Sequence, residues 1–429
     1  MYLRISFVGY KTKLVELGAS PIHVTLEPIM LNEVIVTARQ KLYHQKNGEM
    51  IANVKGTILE TFPKTGDIIA QLPFVSSQDG VYTVFGKGTP VIYINNRLVQ
   101  DLKELDQLRP SDIKEIKINT MPGAKYDATV GAVIQIVTEK VKGEGLSGTL
   151  YASSKHSECW SPEEFASFNY RHKVWDIFGS VYLIQKHQRI DMIAHQQLNV
   201  ADAVHEVSYQ EEEKVKSDRV AAVGGINYNP NEEISAGVQY VFNHSSWEND
   251  MLNDISHTVN NKMKITQQLA SSDRPDHQHN INAYFSGNIG DNLSLDFNFD
   301  LVKGNETDKM YSWFPDEPSD DVNTVNSRRY GYYASKGILT YYNKYVNLEG
   351  GVEYSYTDMT QTYDIDNITL GINSSNDVTK QNRLGLFVST KSQFGNWGLG
   401  AGMRYENIDF DYYKNNTWNK EQSKKYHKL

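Results

Sequence analysis

The constraint that governs this chain is a strict period of two. In Leu293, Leu295, Phe297, Phe299 and Leu301 apolar side chains hold the odd positions, while Ser294, Asp296, Asn298 and Asp300 hold the even ones. Successive side chains of a strand point to opposite faces, so this run has one greasy face and one wet face. The same pattern runs from Val346 through Leu348, Gly350, Val352, Tyr354 and Tyr356, and again through Ile234, Ala236, Val238, Tyr240 and Phe242. One strand of this kind fits equally well in a soluble sandwich. The rhythm of the connections separates the two.

Strands are expected near 146–154, 164–171, 175–185, 217–228, 233–243, 278–288, 292–302, 331–342, 346–357, 382–392 and 398–411. The joints at His172-Lys173, Asn229-Pro230-Asn231-Glu232, Gly290-Asp291, Asn343-Lys344-Tyr345 and Phe394-Gly395-Asn396 have hairpin length and turn chemistry. Between them lie long polar stretches at 186–216, 244–277, 303–330 and 358–381, which read as loops. Short turns on one rim and long loops on the other are the asymmetry of an outer-membrane β-barrel, with the long loops outside the cell. A charge on the lipid face near mid-bilayer costs roughly 2–4 kcal/mol, so Asp296, Asp300, Glu349 and Glu353 are assigned to the lumen. The fold class is therefore mainly β, with a partial antiparallel transmembrane barrel over 143–429.

Composition agrees. The 429 residues suit two or three units, and the 27 tyrosines include Tyr332-Tyr333, Tyr341-Tyr342 and Tyr412-Tyr413 near strand ends, where an aromatic girdle belongs. No apolar run is long enough for a membrane helix, which leaves a barrel open. A net charge of −9 without a basic block argues against nucleic acid as a partner. Cys159 is the only cysteine, which excludes an internal disulfide and a cysteine metal site.

The first 145 residues lack this rhythm and read as two small pieces joined by a linker. The segment Leu3 to Tyr10, followed by His23-Val24-Thr25-Leu26, reads as closing strands of a small sandwich. With its Phe7-Val8-Gly9-Tyr10 strand and Leu26-Glu27-Pro28 exit, it resembles the end of the carboxypeptidase-regulatory-like domain that precedes TonB-dependent outer-membrane receptors of the Bacteroidetes type. In that likeness Glu33, Val34, Ile35, Val36, Thr37 and Ala38 resemble the TonB box. The plug domain of the same receptors is resembled by Asp67 to Val75, with its Leu72-Pro73 turn, by Gly86 and Gly88, by the strand Pro90 to Arg97, and by Leu108 to Ile118. It is resembled last by Pro122-Gly123-Ala124-Lys125-Tyr126-Asp127 with Gly131 to Thr138. The resemblance implies the domains 1–30 (end of the sandwich), 31–48 (linker with TonB box), 49–142 (plug) and 143–429 (barrel).

Physical roles follow for several of these residues. Gly86 and Gly88 permit a tight loop. Asp112, ahead of an Ile-x-x-Ile run, is expected to cap a helix. Arg97, Arg109, Lys125 and Asp127 are polar handles for lumen-facing carboxylates. The β-branched run Val34-Ile35-Val36 favours an extended chain that a periplasmic partner grips by strand addition.

Catalysis finds little support. Gly86-x-Gly88 and Gly398-x-Gly400-x-Gly402 lack the third glycine and the strand-to-helix context of a nucleotide site. His277 and His279 share a face and are weighed as metal ligands, with a solvated or interfacial pair as the more ordinary reading. No enzyme activity, cofactor or metal is expected. The resemblance implies an energy-coupled receptor whose partners are TonB with ExbB and ExbD, outer-membrane lipid, and an external ligand such as a siderophore or oligosaccharide. The alternatives are a non-transporting barrel receptor or adhesin, and a soluble secreted β-protein. About eleven strands against the roughly twenty-two of large plugged barrels, and no export signal before Leu3, lead to the expectation of a truncated receptor that transports nothing as it stands.

Overall fold

The computed structural model describes the chain except residues 1, 6–11, 17–23, 28–40, 47–48, 79, 96, 100–101, 103–104, 106–107, 128, 140–143, 157–158, 201–202, 232, 261, 368, 370 and 395–396. It forms two units, Met1–Leu42 and Tyr43–Leu429. In the first, β1 (Tyr2–Ile5) pairs antiparallel with β2 (Lys13–Glu16). This is less than the sandwich remnant expected over 1–30, because residues 24–27 form no strand and the Phe7 to Tyr10 run lies outside the described residues. The TonB-box segment 33–38 also lies outside them.

The second unit opens with a six-stranded mixed sheet in the order β3-β4-β9-β10-β7-β8. Its strands are β3 (Tyr43–Lys46), β4 (Glu49–Asn53), β7 (Val91–Ile94), β8 (Arg97–Leu98), β9 (Ile113–Asn119) and β10 (Val133–Thr138), with the separate hairpin β5 (Val75–Gln78) and β6 (Val81–Val84) beside it. The sheet therefore begins at Tyr43, within the stretch 31–48 assigned to the linker. One helix, α1 (Thr65–Ala70), carries Asp67 in its first turn, where a carboxylate suits the helix dipole, and ends ahead of Pro73, which cannot continue it. The core is a run of isoleucines, with Ile68, Ile69, Ile116, Ile134 and Ile136 fully buried. Each such side chain contributes about 1.5–3 kcal/mol.

Asp112 does not cap a helix. It closes the 3-10 turn Pro110–Asp112, and the isoleucine run after it is the strand β9. Ile116 and Ile118 keep a buried period of two against β4 and β10, and the register shift at Val137-Thr138 accommodates the odd spacing back to the buried Ile113, so tertiary pairing overrides the helical spacing of the first two isoleucines.

The remaining strands form one 14-stranded antiparallel sheet. They are β11 (Gly145–His156), β12 (Trp160–His172), β13 (Trp175–Val200), β14 (Ala203–Tyr228), β15 (Ile234–Val259), β16 (Lys262–Asp273), β17 (Asp276–Asn288), β18 (Leu293–Trp313), β19 (Val322–Tyr342), β20 (Val346–Ile365), β21 (Ser375–Phe394), β22 (Trp397–Lys414), β23 (Thr417–Trp418) and β24 (Lys424–Lys428). β16 and β17 both pair with β15 and β18 and act as one strand, interrupted at Arg274-Pro275 because proline has no N–H for the ladder. The sheet does not close on itself: β11 lies at one edge, and β23 and β24 pair with β22 at the other. Among the described residues no helix is long and apolar enough to cross a membrane.

The hairpin turns at 172–173, 290–291 and 343–345 fall where the sequence places them, and the joints at 229–232 and 394–396, which include residues outside the described ones, separate strands that bear out the expected connections. The long polar stretches are loops only near their tips, as between Trp313 and Val322 and between Ile365 and Ser375. Residues 186–216, 244–277, 303–330 and 358–381 continue the flanking strands as paired hairpins, β13 and β14 each running 26 residues. At ~3.3 Å per residue such a strand is about 86 Å long, far more than the 9–11 residues a bilayer needs. Polar cross-strand pairs hold these extensions, among them Arg189 with Glu212 at 3.1 Å and Gln267 with Asp254 at 3.1 Å.

Candidate functional site

Lipid-facing and lumen-facing positions alternate along the barrel strands as the sequence requires. Val238, Phe297, Leu339, Val352, Leu386 and Met403 are exposed and point outward. Asp300 lies on the other face, buried and bonded by Asn282 Nδ2 at 2.9 Å. Against this inner face sits the loop between β9 and β10, which carries the Pro122 to Gly131 motif. Asp127 organises it locally, accepting from the N–H and hydroxyl of Thr129 at 2.6 Å each. Tyr126 N–H donates to Gly123 C=O at 3.2 Å. At the far end of the loop, a Cβ on Gly131 would come within 2.2 Å of the Lys87 carbonyl, so only glycine fits against the Gly86 and Gly88 turn, whose φ values are +68° and +78°. Leu72, beside Pro73, is buried in the apolar core together with Ile68 and Ile69.

The loop tip meets a charged patch on the barrel wall. Asp127 forms an ion pair with Arg383 of β21. Arg383 also pairs with Glu406 at 2.7 Å, Glu406 with Arg404 at 2.6 Å, and Arg404 with Glu353 at 3.2 Å. Lys336 of β19 completes the chain, 3.2 Å from Glu353 and donating to the Lys125 carbonyl at 2.8 Å. Along this chain three cations of the large sheet face two of its carboxylates, and Asp127 of the β9–β10 loop adds a third carboxylate, while Lys125 of the same loop brings a further positive charge close to Lys336. The network is shielded, Arg404 being 8% and Glu406 1% exposed. Arg404 and Lys336 stand 5.9 and 5.8 Å from the Phe387 ring. Gly385 and Gly351 leave room for this, since a Cβ there would strike Arg404 and the Phe387 ring.

Aromatic contact adds to the charge. Tyr126 meets Tyr93 edge-on, with centroids 5.8 Å apart, and Lys336 lies 5.5 Å over the Tyr126 ring. Burial pushes the Tyr126 hydroxyl up to about 12, with Glu49 and Glu349 adding to it, and burial raises Tyr93 as well. Both phenols stay protonated. Ala124 packs on Gly402 of β22, where a Cβ would lie 2.9 Å from its own.

The four expected polar handles divide. Asp127 engages the wall, but through an arginine and not a carboxylate. Arg109 pairs with Asp112 at 3.2 Å and donates to Thr149 Oγ1 of β11. Lys125 contributes its carbonyl. The Arg97 side chain lies outside the described residues. Sequence reasoning missed Lys336, Arg383, Arg404 and Glu406. The available signal was their parity, cations at lumen positions of strands whose other face is greasy.

A second feature lies in the long extensions. A cavity of about 660 Å³ opens there, and Gln188, Val215, Asn249, Ser272, Met310 and Thr324, one cross-strand row, are among its lining. Asn249 donates to Glu213 at 2.5 Å and accepts from Ser272. His277 and His279 do share an outward face, but they engage other rings: His277 stacks on His244 at 4.4 Å and His279 bonds the Tyr240 hydroxyl at 2.7 Å. Among the described residues no three His, Cys, Asp or Glu side chains group as metal ligands.

Residues 287–429 match a family model described as the outer membrane protein beta-barrel family. The location is the outer membrane. The matched strands carry the apolar outward band that such a location demands, which sets aside the soluble secreted alternative. The fold is that of an outer-membrane β-barrel protein and not of an enzyme. Comparison with curated proteins found no match. Among solved structures the chain is similar to the ferric yersiniabactin uptake receptor FyuA from Yersinia pestis, at 10% identity over 85% of this chain and 76% of that one, TM-score 0.41. It is similar also to the ferric citrate transporter FecA in its unliganded form, at 11% identity over 85% and 70%, TM-score 0.36. A third is BauA, the ferric preacinetobactin receptor from Acinetobacter baumannii, at 11% identity over 85% and 75%, TM-score 0.34.

Proposed function

We propose that this protein is a TonB-dependent outer-membrane receptor, in which residues 43–142 are a plug held in the barrel lumen by a releasable charge latch. The observation that carries this reading is the Asp127–Arg383 pair, which joins the β9–β10 loop to a shielded charge network on the wall. Such a contact is strong enough to keep the lumen shut at rest. It is polar enough to re-solvate when the plug is pulled, which an apolar interface would resist. The external ligand binds in the cavity between the long hairpins, whose lining joins an uncharged row to charged residues of both signs, among them Arg189, Lys214, Glu248 and Asp250, and suits a polar ligand such as a siderophore or an oligosaccharide.

Pulling requires a handle, and residues 33 to 38 are the candidate. Val34, Ile35 and Val36 favour an extended segment that adds to the sheet edge of TonB's periplasmic domain, with ExbB and ExbD supplying the energy. The test is titration of that TonB domain with the intact chain. Saturable binding is expected for the wild type and loss of at least tenfold for Ile35→Pro, since proline removes a donor from the added strand. Equal binding by both would remove the TonB box from this segment.

A further inference from the structure

The outward face carries a second built feature, at the top of its apolar band. One row across five strands, Tyr240, Ile281, Leu301, Tyr333 and Tyr356, forms the band's upper aromatic margin. Tyr341 marks the lower margin on β19, eight positions from Tyr333. At ~3.3 Å per residue and a tilt of 35–45°, that separation is about 20 Å of height, close to the ~25 Å of a barrel's apolar band.

Immediately above this margin the chemistry changes. The next outward row holds His279, Lys303 and Gly331, and the one above it His244, His277, Asn305 and Arg329, each directly opposite its neighbour in register. Lys303 and Arg329 are exposed, and among the described residues neither belongs to an ion pair. By contrast Arg328, one position away on the inner face, pairs with Glu306. Lys303 stands 5.9 Å over Tyr333, at the upper edge of the band. Among the described residues the carboxylate of Asp358, opposite Gly331, faces the same way and leans over that glycine at the edge of the row, without reaching ion-pair distance of either cation, while Lys380 on its other side lies over the Tyr413 ring. Unpaired cations beside imidazole and amide donors, at headgroup depth, match a phosphate ester anchored by acyl chains along the band below.

We propose that Lys303 and Arg329, with Asn305 beside them and His277 and His279 on the neighbouring strand β17, bind the phosphate headgroup of a lipid in the external leaflet. The test uses the full chain folded in neutral detergent, exposed to lipid A carrying its phosphates and, separately, to dephosphorylated lipid A, with bound lipid counted by native mass spectrometry. The phosphorylated lipid should be retained preferentially. Lys303→Gln and Arg329→Gln should each weaken retention about five-fold and together about 25-fold. Lys303→Arg should preserve it, which separates charge from folding. Equal retention of the two lipids, or an unchanged double variant, overturns the proposal. Displacement of the lipid by excess inorganic phosphate would also overturn it, by showing a free-anion site. None of these readouts depends on TonB coupling, so the result stands apart from the fate of the receptor reading.

Discussion

Asp127 contributes more than a surface carboxylate does because both ends of its pair are shielded, Arg383 being 20% and Asp127 17% exposed at the side chain. Exposed ion pairs are worth at most about 1 kcal/mol, whereas a charged hydrogen bond out of water is worth about 1.5–3 kcal/mol. Asp127→Asn should therefore loosen the plug by about 1.5–3 kcal/mol, read as faster protease cleavage of the β9–β10 loop. Adding Arg383→Gln to Asp127→Asn should cost less than it does alone, because the unmatched wall charge is then gone; fully additive losses would show that the two residues are not coupled. Glu60 makes a prediction in pH. Its carboxylate takes the Gly56 N–H at 2.8 Å and then Lys55 at 3.0 Å, which hold it below the ordinary glutamate range. A lowered folded value means the stabilisation is present above the unfolded value and lost as pH falls through the lowered one. Plug stability should thus decline on acidification, and Glu60→Gln should flatten that decline. Identical acid profiles for the two proteins would discard the role.

At the scale of elements, the membrane portion was legible and the extensions were not. All eleven expected strands exist, because an apolar band imposes period two on one face and hairpin turns need Asn, Gly or Pro at their tips. Above the bilayer both faces meet water, so hydrophobic periodicity vanishes while backbone pairing persists. The residual signal was negative: 186–216 contains neither glycine nor proline, and a chain that turns freely usually has them. The latch was half legible. Pro122 to Asp127 was singled out as a motif, but its partners lie more than two hundred residues on, and only register brings Arg383 and Glu406 side by side. The band itself is testable through Val352, which is exposed and opposite Leu386 on the outward face. Val352→Arg near mid-bilayer should cost about 2–4 kcal/mol in membrane-folding titrations. A negligible cost would place that face in water.

For the whole molecule, the decisive question is whether the plug must leave the wall for a ligand to pass. Ala124 and Gly402 offer a way to ask it, since the Cβ of one lies 2.9 Å from where the Cβ of the other would stand. Disulfides prefer Cβ atoms about 3.5–4.5 Å apart, so Ala124→Cys with Gly402→Cys needs a shift of under about an ångström at the half-buried Ala124 of the loop. The only native cysteine, Cys159, is exposed between β11 and β12 and is replaced by serine to keep the pairing unambiguous. The bond ties the Pro122 to Gly131 loop to β22 beside the latch, and because Cys159 lines the cavity between the long hairpins, the Cys159→Ser protein is the reference for both readouts. Cells carrying the oxidised pair in the receptor should bind external ligand at the level of the Cys159→Ser protein and import none, and a reductant should restore import. Import that continues with the bond intact would mean that this loop stays on the wall during transport, and the latch would then be a structural brace and not a gate.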